Sequence, residues 1–274
     1  MNKNSSQAKS QEWDQSNFEV DCSDKDCLKI AAEIFLEYGF VVLKNAIEHE
    51  LIKNIHTELL AVVNKQSISN SLRDLHVFED GTISSAHNIM DYIPSYVSLQ
   101  NLENIKSVLE IAYGDLSDES FNSSYFAKPK LKGLETKAHQ DNAFFCMNPA
   151  DVATCWLPVS FADKRNGALY YYPTSHRLGN LDHYPEGNLG ASMCLSSDSL
   201  DKINKNFTRV YIELALGDCV IHNALIAHGS DANTSNYDRN AFNFSIASIK
   251  SKRDSLQYAN YQDNLSKFLH KKKL

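Results

Sequence analysis

Apolar residues recur at helical spacing in the first part of the chain and in short strand-like runs thereafter. Leu28, Ala31, Ile34 and Phe35 fall on one face of a helix that Asp24 or Asp26 would cap. Gly39 is placed to end that helix after about residue 38. An apolar strand follows at 40–43, and Leu51, Ile55, Leu59 and Val63 mark a second helix over about 48–64. A third helix covers about 102–113. Between them, 65–98 is polar and less regular, with room for a short helix, a long loop of the kind that often carries function. From residue 121 the period shortens, with β-like runs at 123–128, 153–159, 168–172, 209–214, 217–222 and 240–249. Asn166-Gly167 predicts a hairpin turn between two of them, and a last helix covers about 254–270. Helices first and many short strands later predict an α+β chain with a mainly β core, rich enough in strands for a sandwich or barrel. There is no repeat and no linker. The pattern predicts one domain over 19–274, after a Ser-, Asn-, Gln- and Lys-rich segment, 1–18, that reads as disordered.

The run from 239 carries more detail. Phe242, Phe244 and Ile246 share one face, while Arg239, Ala241, Asn243 and Ser245 share the other. The polar face is expected to line a pocket and the Phe face to pack under helices. With 274 residues and 43% hydrophobic content, the chain can bury a large core. Its net charge of −7 excludes a general nucleic-acid binder, which needs a basic footprint. No run approaches the roughly 18 apolar residues of a membrane span, and the N-terminal segment has no secretory core. Six cysteines at 22, 27, 146, 155, 194 and 219 form no CxxC motif. They read as reduced thiols in a cytoplasmic protein, although Cys22 and Cys27 stand close enough to form a local pair. The final KKKL reads as a solvated helix end and matches a peroxisomal address poorly.

Several familiar chemistries fail. His49-Glu50 opens like a zinc-protease helix, but Lys53 stands where the second His is needed. There is no GxSxG elbow, no GxGxxG after a strand and no Walker A loop. His139-Gln140-Asp141 survives. In an extended segment residues i and i+2 point to one side, so His139 and Asp141 could both reach one metal ion while Gln140 faces away. One further His from a distant strand would complete a two-His, one-carboxylate face with three open positions, the set that suits an oxygen-activating Fe(II) centre. His228, near a strand end, offers that ligand. Arg239, eleven residues on, offers a fork that pairs bidentately with a carboxylate.

HQD at 139–141, Trp156, NGALYYYPTSH at 166–176 and AHGSDANTS at 227–235 with Arg239, in that order, resemble the phytanoyl-CoA dioxygenase family. The resemblance covers roughly 120–250, and the helix and FVVLK strand near 27–44 fit the family's N-terminal part. It implies a double-stranded β-helix, a jelly-roll barrel flanked by helices, and dependence on Fe(II), 2-oxoglutarate and O2. It implies His139, Asp141 and His228 as iron ligands and Arg239 as the anchor of the far carboxylate of 2-oxoglutarate. Ser230 and Trp156 match positions that contact the cosubstrate in relatives, and Lys128 aligns more loosely with a further contact. Related halogenases replace the carboxylate ligand with a small residue. The presence of Asp141 therefore points to hydroxylation with release of succinate and CO2. The same iron could instead serve desaturation, cyclisation or epimerisation, and a non-catalytic ligand-binding barrel is the alternative from another class.

Other residues were weighed against blander roles. His222 shares strand parity with the pocket but reads first as a core histidine hydrogen-bonded to a neighbour. His176 reads as structural or rim, and His183 with Asp182 as a loop pair. Tyr170, Tyr171 and Tyr172 read mainly as packing, with one ring available to a cavity. Asn88, Asp91, Tyr92, Asn142 and Phe144 are candidate substrate contacts by position alone. Lys128, Lys130 and Lys132 could steer an anion. The expected partner is a small free metabolite or natural-product intermediate. The protein is expected to bind neither nucleic acid nor membrane, and to be a monomer or weak homo-oligomer.

Overall fold

A computed structural model describes residues 13–23, 26–64, 75–118, 120–188 and 191–272. Asp24 and most of the segment expected to be disordered lie outside these residues. Five helices of ten or more residues occur among them: α1 (Cys27–Tyr38), α2 (His49–Asn64), α3 (Glu103–Tyr113), α4 (Ser197–Asn206) and α5 (Ser255–Lys272). Strands are numbered in chain order. The major sheet has the spatial order β1 (Glu19–Asp21), β2 (Phe40–Lys44), β13 (Cys219–Asn223), β8 (Val152–Pro158), β15 (Arg239–Ala247), β5 (Phe121–Lys128), β4 (Ile83–His87) and β3 (Leu75–Val77). The minor sheet runs β12 (Val210–Tyr211), β9 (Leu169–Tyr171), β14 (His228–Ser230) and β6 (Thr136–His139). A hairpin of β10 (His183–Asn188) and β11 (Ala191–Leu195), and a short ladder of β7 (Met147–Asn148) with β16 (Lys252–Arg253), complete the described strands. This is a double-stranded β-helix with α1, α2 and α3 on the flank of the major sheet.

The alternation along β15 sets the layers. Phe242, Phe244 and Ile246 are buried in one cluster with Phe35 of α1, Ile52 and Ile55 of α2 and Ile105 of α3. The opposite face of the major sheet looks toward the minor sheet. There Phe40 and Tyr171 stack with ring centroids 4.4 Å apart, and Trp156, Val220, Ile226 and Ala241 fill the space between the layers. Helix α1 ends as its sequence predicts: Gly39 takes φ 86°, a left-handed conformation open to glycine, and its N–H donates to the Phe35 carbonyl at 2.8 Å. The second candidate cap, Asp26, occupies the N-cap position but makes no capping hydrogen bond with its side chain.

Three expectations are corrected. The Asn166-Gly167 turn does not close a hairpin. Strand β8 pairs with β13 and β15, whereas β9 pairs with β12 and β14 in the other sheet. Gly167 has positive φ but Asn166 does not, so the two-residue turn that matches strand twist cannot form. Asn166 instead turns its amide inward, accepting from the Asp163 N–H and donating to the Phe161 carbonyl, each at 2.8 Å. Second, order begins before residue 19. Residues Gln15–Phe18 form a 3-10 turn with Asp14 accepting from the Ser16 N–H at 2.8 Å, and Phe18 is fully buried beside Tyr38 and Phe40. A polar composition hides one aromatic anchor. Third, 75–87 is no irregular loop but the hairpin β3–β4, hydrogen-bonded to β5. Its small and polar residues Ser84, Ser85 and Ala86 are all buried, so no apolar alternation announces it.

No helix among the described residues is long and apolar enough to cross a membrane. Cys22 and Cys27 are free thiols and do not form the disulfide their spacing allowed. The Phe face of β15 gives a stability test. Phe244→Ala should lower the free energy of unfolding by about 3–5 kcal/mol in urea titration, whereas Leu256→Ala, at a side chain 73% exposed, should change it by no more than about 0.5 kcal/mol. Equal effects would contradict this layering.

Candidate metal centre and its cavity

His139 ends β6 and His228 begins β14, and the two are register partners in the minor sheet. Each ring is oriented by its own backbone. His139 Nδ1 lies 2.8 Å from the Lys137 carbonyl and His228 Nδ1 lies 3.1 Å from the Ile226 carbonyl. A proton on Nδ1 satisfies each contact and leaves Nε2 as a free lone pair, the usual arrangement of a metal-binding imidazole. Asp141 completes the group. Its Oδ1 is 3.5 Å from His139 Nε2 and 3.6 Å from His228 Nε2, and the three ligand atoms all lie within 4.8 Å of one another.

The route by which Asp141 arrives differs from the sequence argument. The strand stops at His139, and Asp141 already has helical dihedrals, φ −61° and ψ −32°, at the start of the short helix Asn142–Phe145. A turn, not strand parity, aims it. Gln140 points away from the ligands but into the protein. It is 1% exposed, donates to the Gly179 and Leu225 carbonyls at 2.9 and 2.5 Å, and accepts from the Leu181 N–H at 2.8 Å. The Gln140 N–H donates to His183 Nε2 at 3.0 Å. His183 thus holds the turn from strand β10 and takes no part in the ligand set.

The second Asp141 oxygen faces the major sheet. Oδ2 accepts from Thr154 Oγ1 at 2.6 Å and from His222 Nε2 at 3.1 Å. Ser245 Oγ lies 3.0 Å behind Thr154, and the Tyr171 hydroxyl lies 2.9 Å from His222 Nδ1. His222 is therefore the satisfied core histidine that its position suggested, and its neighbour is the candidate ligand carboxylate. Burial opposes ionisation of Asp141, but the imidazoles of His228, His139 and His222 around it outweigh that and hold the carboxyl well below its usual range. Burial, reinforced by His139 and His222, keeps His228 well below the usual histidine value, hence neutral and able to ligate.

These side chains line a cavity of about 500 Å³ between the sheets. Arg239 and Lys128 are register partners on β15 and β5 and both face it. Arg239 is 3% exposed and lies over the Trp156 ring, 5.4 Å from its centroid. Its Nε has no hydrogen-bond partner among the described residues. Burial pulls its pKa down to about 10. Lys128 Nζ donates to Ser230 Oγ at 2.5 Å and to the Ser230 and Asp231 carbonyls at 3.1 and 2.6 Å. Burial, with Arg239 beside it, lowers its pKa well below the usual lysine value. Gly167, at φ 89°, leaves room for the Lys128 stem, which a β-carbon there would meet at 2.9 Å.

All seven candidate site residues, His139, Asp141, His228, Arg239, Ser230, Trp156 and Lys128, thus share one cavity. Lys130 and Lys132 do not: they are exposed, and Lys132 pairs with Asp80. Of the positional guesses, Phe144 lines the cavity, whereas Asn142 is a buried structural residue bonded to Met147 and Asn180. Asn88, Asp91 and Tyr92 lie outside the lining, as do the three adjacent tyrosines. His176 sits at the end of α1, 3.3 Å from the Leu36 carbonyl. Sequence reasoning missed the contribution of the β3–β4 hairpin (His76, Ser85, His87) and of α5 (Tyr261, Leu265) to the lining. Neither segment carries a motif. Thr154 was also missed, although its two-residue offset from Trp156 on one strand signals a shared face.

The phytanoyl-CoA dioxygenase family pattern matches residues 35–241. The peroxisomal phytanoyl-CoA dioxygenase of Bos taurus is 24% identical over 234 residues, covering 78% of this chain and 67% of that protein. Two solved structures share the fold. The non-heme alpha ketoglutarate dependent carbocyclase SnoK from nogalamycin biosynthesis has a TM-score of 0.66 and 19% identity, covering 82% of this chain and 85% of its own. EctD from S. alaskensis, solved with 2-oxoglutarate and 5-hydroxyectoine, has a TM-score of 0.66 and 18% identity, covering 81% of this chain and 77% of its own. With well over half of its length matched, the chain belongs to the phytanoyl-CoA dioxygenase family.

Proposed function

We propose that this protein is an Fe(II)- and 2-oxoglutarate-dependent oxygenase that hydroxylates a small molecule. The observation that carries this reading is the Arg239 guanidinium, buried with an unpartnered Nε in the same cavity as the His139–Asp141–His228 group. An unpaired buried charge is costly and implies a ligand that completes it. The donor set fits the metal: two neutral imidazoles and one carboxylate oxygen leave open positions, as a non-haem Fe(II) oxygenase requires. The second cavity feature fits the cosubstrate. Two cations, Arg239 and Lys128, face the cavity together, matching a dianion such as 2-oxoglutarate.

His139, Asp141 and His228 would hold iron, and Arg239, Ser230 and Lys128 the far carboxylate of 2-oxoglutarate, with Trp156 packed against the guanidinium. Bound together, iron and 2-oxoglutarate would supply the oxidising chemistry: O2 is consumed, the keto acid leaves as succinate and CO2, and one oxygen atom goes to the substrate. The protein's part is orientation. Thr154 and His222 hold Asp141 Oδ2, so that Oδ1 alone turns toward the metal position. Asp141, which can only accept, fixes the His222 tautomer, and the Tyr171 hydroxyl donates to its Nδ1. The layered sheets leave His139, Asp141 and His228 no more than 5% exposed, which shields them from bulk water.

The likeness to a carbocyclase supports a second reading in which the same centre closes a ring; desaturation and epimerisation belong with it. Product mass separates them. Hydroxylation adds one oxygen, whereas ring closure or desaturation removes two hydrogens and epimerisation leaves the mass unchanged.

Three outcomes test the proposal. His139→Ala and Asp141→Ala should each weaken Fe(II) binding, followed by equilibrium dialysis under nitrogen, by about 100-fold or more, and should abolish succinate release from 2-oxoglutarate. Activity that persists in both would sink the ligand assignment. Arg239→Ala should raise the KM for 2-oxoglutarate by about 10–100-fold with Fe(II) affinity nearly unchanged. The pH dependence follows from Lys128. A bound dianion favours its charged form, so 2-oxoglutarate binds best below the depressed Lys128 pKa and weakens as pH rises through it, at a pH below the usual lysine value near 10.4. A Lys128→Met variant should lose that slope when KM is measured from pH 6.5 to 9.5.

A further inference from the structure

The cavity divides by chemistry. The charged side chains lining it are, among the described residues, Asp141, Lys128 and Arg239, all in the half assigned above to metal and cosubstrate. The rest of the lining carries no Asp, Glu, Lys or Arg, and His76 and His87 are the titratable groups nearest β4. Two polar atoms there are buried and unpaired: Ser85 Oγ on β4, in a residue 1% exposed, and Asn243 Oδ1 on β15, in a residue 7% exposed. Both residues line the cavity. They lie on the same face of the major sheet. Ser85 is opposite Phe126 and Asn243 opposite Ser124, and Ser124 and Phe126 are two residues apart on β5. A buried polar atom without a partner is uncommon and costs stability. Two on one cavity wall, beside the Arg239 that a cosubstrate would satisfy, point to a second ligand. Tyr261 and Leu265 of α5 add a phenol ring and an isobutyl group to the lining. This helix begins at Ser255, beyond the stretch 35–241 that the family pattern matches.

We propose that Ser85 and Asn243 bind the substrate, that the substrate is an uncharged, hydroxyl-bearing molecule with an apolar face, and that Tyr261 and Leu265 select it by covering that face. The proposal rests on the oxygenase reading for the direction of chemistry, but not for the binding wall. Asn243 Oδ1 calls for a hydrogen-bond donor and Ser85 Oγ accepts or donates; a hydroxyl group meets both needs. A carboxylate or ammonium group would find no counter-charge on this wall. Tyr261 and Leu265 stand one helical turn apart, which puts both on one side of α5. They are specificity-determining residues, whereas Ser85 and Asn243 fix orientation.

The test uses the full chain loaded anaerobically with Fe(II) and 2-oxoglutarate. Three probes of similar shape are titrated by calorimetry: cyclohexane-1,2-diol, cyclohexanecarboxylate and cyclohexylammonium. The diol should bind about 10-fold or more tightly than either charged probe, and Ser85→Ala and Asn243→Leu should each weaken it about 5–10-fold. Leu265→Glu should weaken the diol while leaving 2-oxoglutarate affinity unchanged. In parallel, the ligand-free Ser85→Ala and Asn243→Leu variants should melt at or above the temperature of the unaltered chain, because each removes an unsatisfied buried polar atom. Tighter binding of a charged probe overturns the proposal. So does a fall in melting temperature of both variants by about 2–4 °C or more, which would mark these groups as structural; if no probe binds, melting decides alone. Failure to release succinate with the diol still bound would count against the oxygenase reading and not against this wall. Turnover on a hydroxylated compound that is indifferent to both substitutions would count against the wall and not against the oxygenase.

Discussion

The Asp141 carboxylate is the interaction on which the rest of the site depends. It arises from the turn after the minor sheet, and its two oxygens look in different directions. Oδ1 lies with the imidazoles of His139 and His228, while Oδ2 is bound by Thr154 and His222 of the major sheet. A single charged group thus ties the two layers of the barrel together at the place where chemistry is proposed. Removing it would leave more than a missing ligand. Thr154 and His222 would lose their acceptor in a dry interior, and the tyrosine behind His222 would lose its reason for that geometry. The hydrogen-bond directions are mutually consistent from Tyr171 through His222 to Asp141, and from Ser245 through Thr154 to the same oxygen.

Electrostatics explains why this buried cavity is not a packed core. Arg239 and Lys128 sit side by side with like charge, and the groups that solvate Lys128 are carbonyls and a hydroxyl, not carboxylates. Such a pair weakens the folded state until an anion arrives. A cosubstrate carrying two negative charges would remove that penalty on binding, so the instability of the ligand-free site becomes affinity. The unpaired Ser85 and Asn243 repeat this arrangement in neutral form farther along the same sheet face.

The sequence made the inner shell legible because each of its members belongs to an ordered motif: HQD, the AHGS stretch, and an arginine with strand parity. It made the layers legible through Phe242, Phe244 and Ile246, whose alternation could be satisfied only under helices. The turn at Asn166 was read as a hairpin because dipeptide chemistry is local, whereas the choice of sheet for β8 and β9 is made by distant strands. His139 and Asp141 do lie together, but a turn and not strand parity joins them, because periodicity cannot show that the strand ends at His139. The outer cavity was not legible at all. Ser85 and His87 lie on a strand with no apolar alternation, and Tyr261 and Leu265 read as an ordinary helix face. Residues that contact a ligand rather than one another leave no internal pattern to detect.

The alternation of β15 has a consequence for how the protein tolerates change. One nine-residue strand carries Arg239 and Asn243 toward the cavity and Phe242 and Phe244 toward the helices, and its pairing with β5 shifts between Asn243 and Ser245. A slip of one residue would drive a phenyl ring into the cavity and a guanidinium under α2. Core and site are therefore read out by the same register. Substitutions among the phenylalanines, far from any ligand, would be felt as misplaced chemistry in a chain that is still folded, so the site's evolution is confined by the packing on its reverse side.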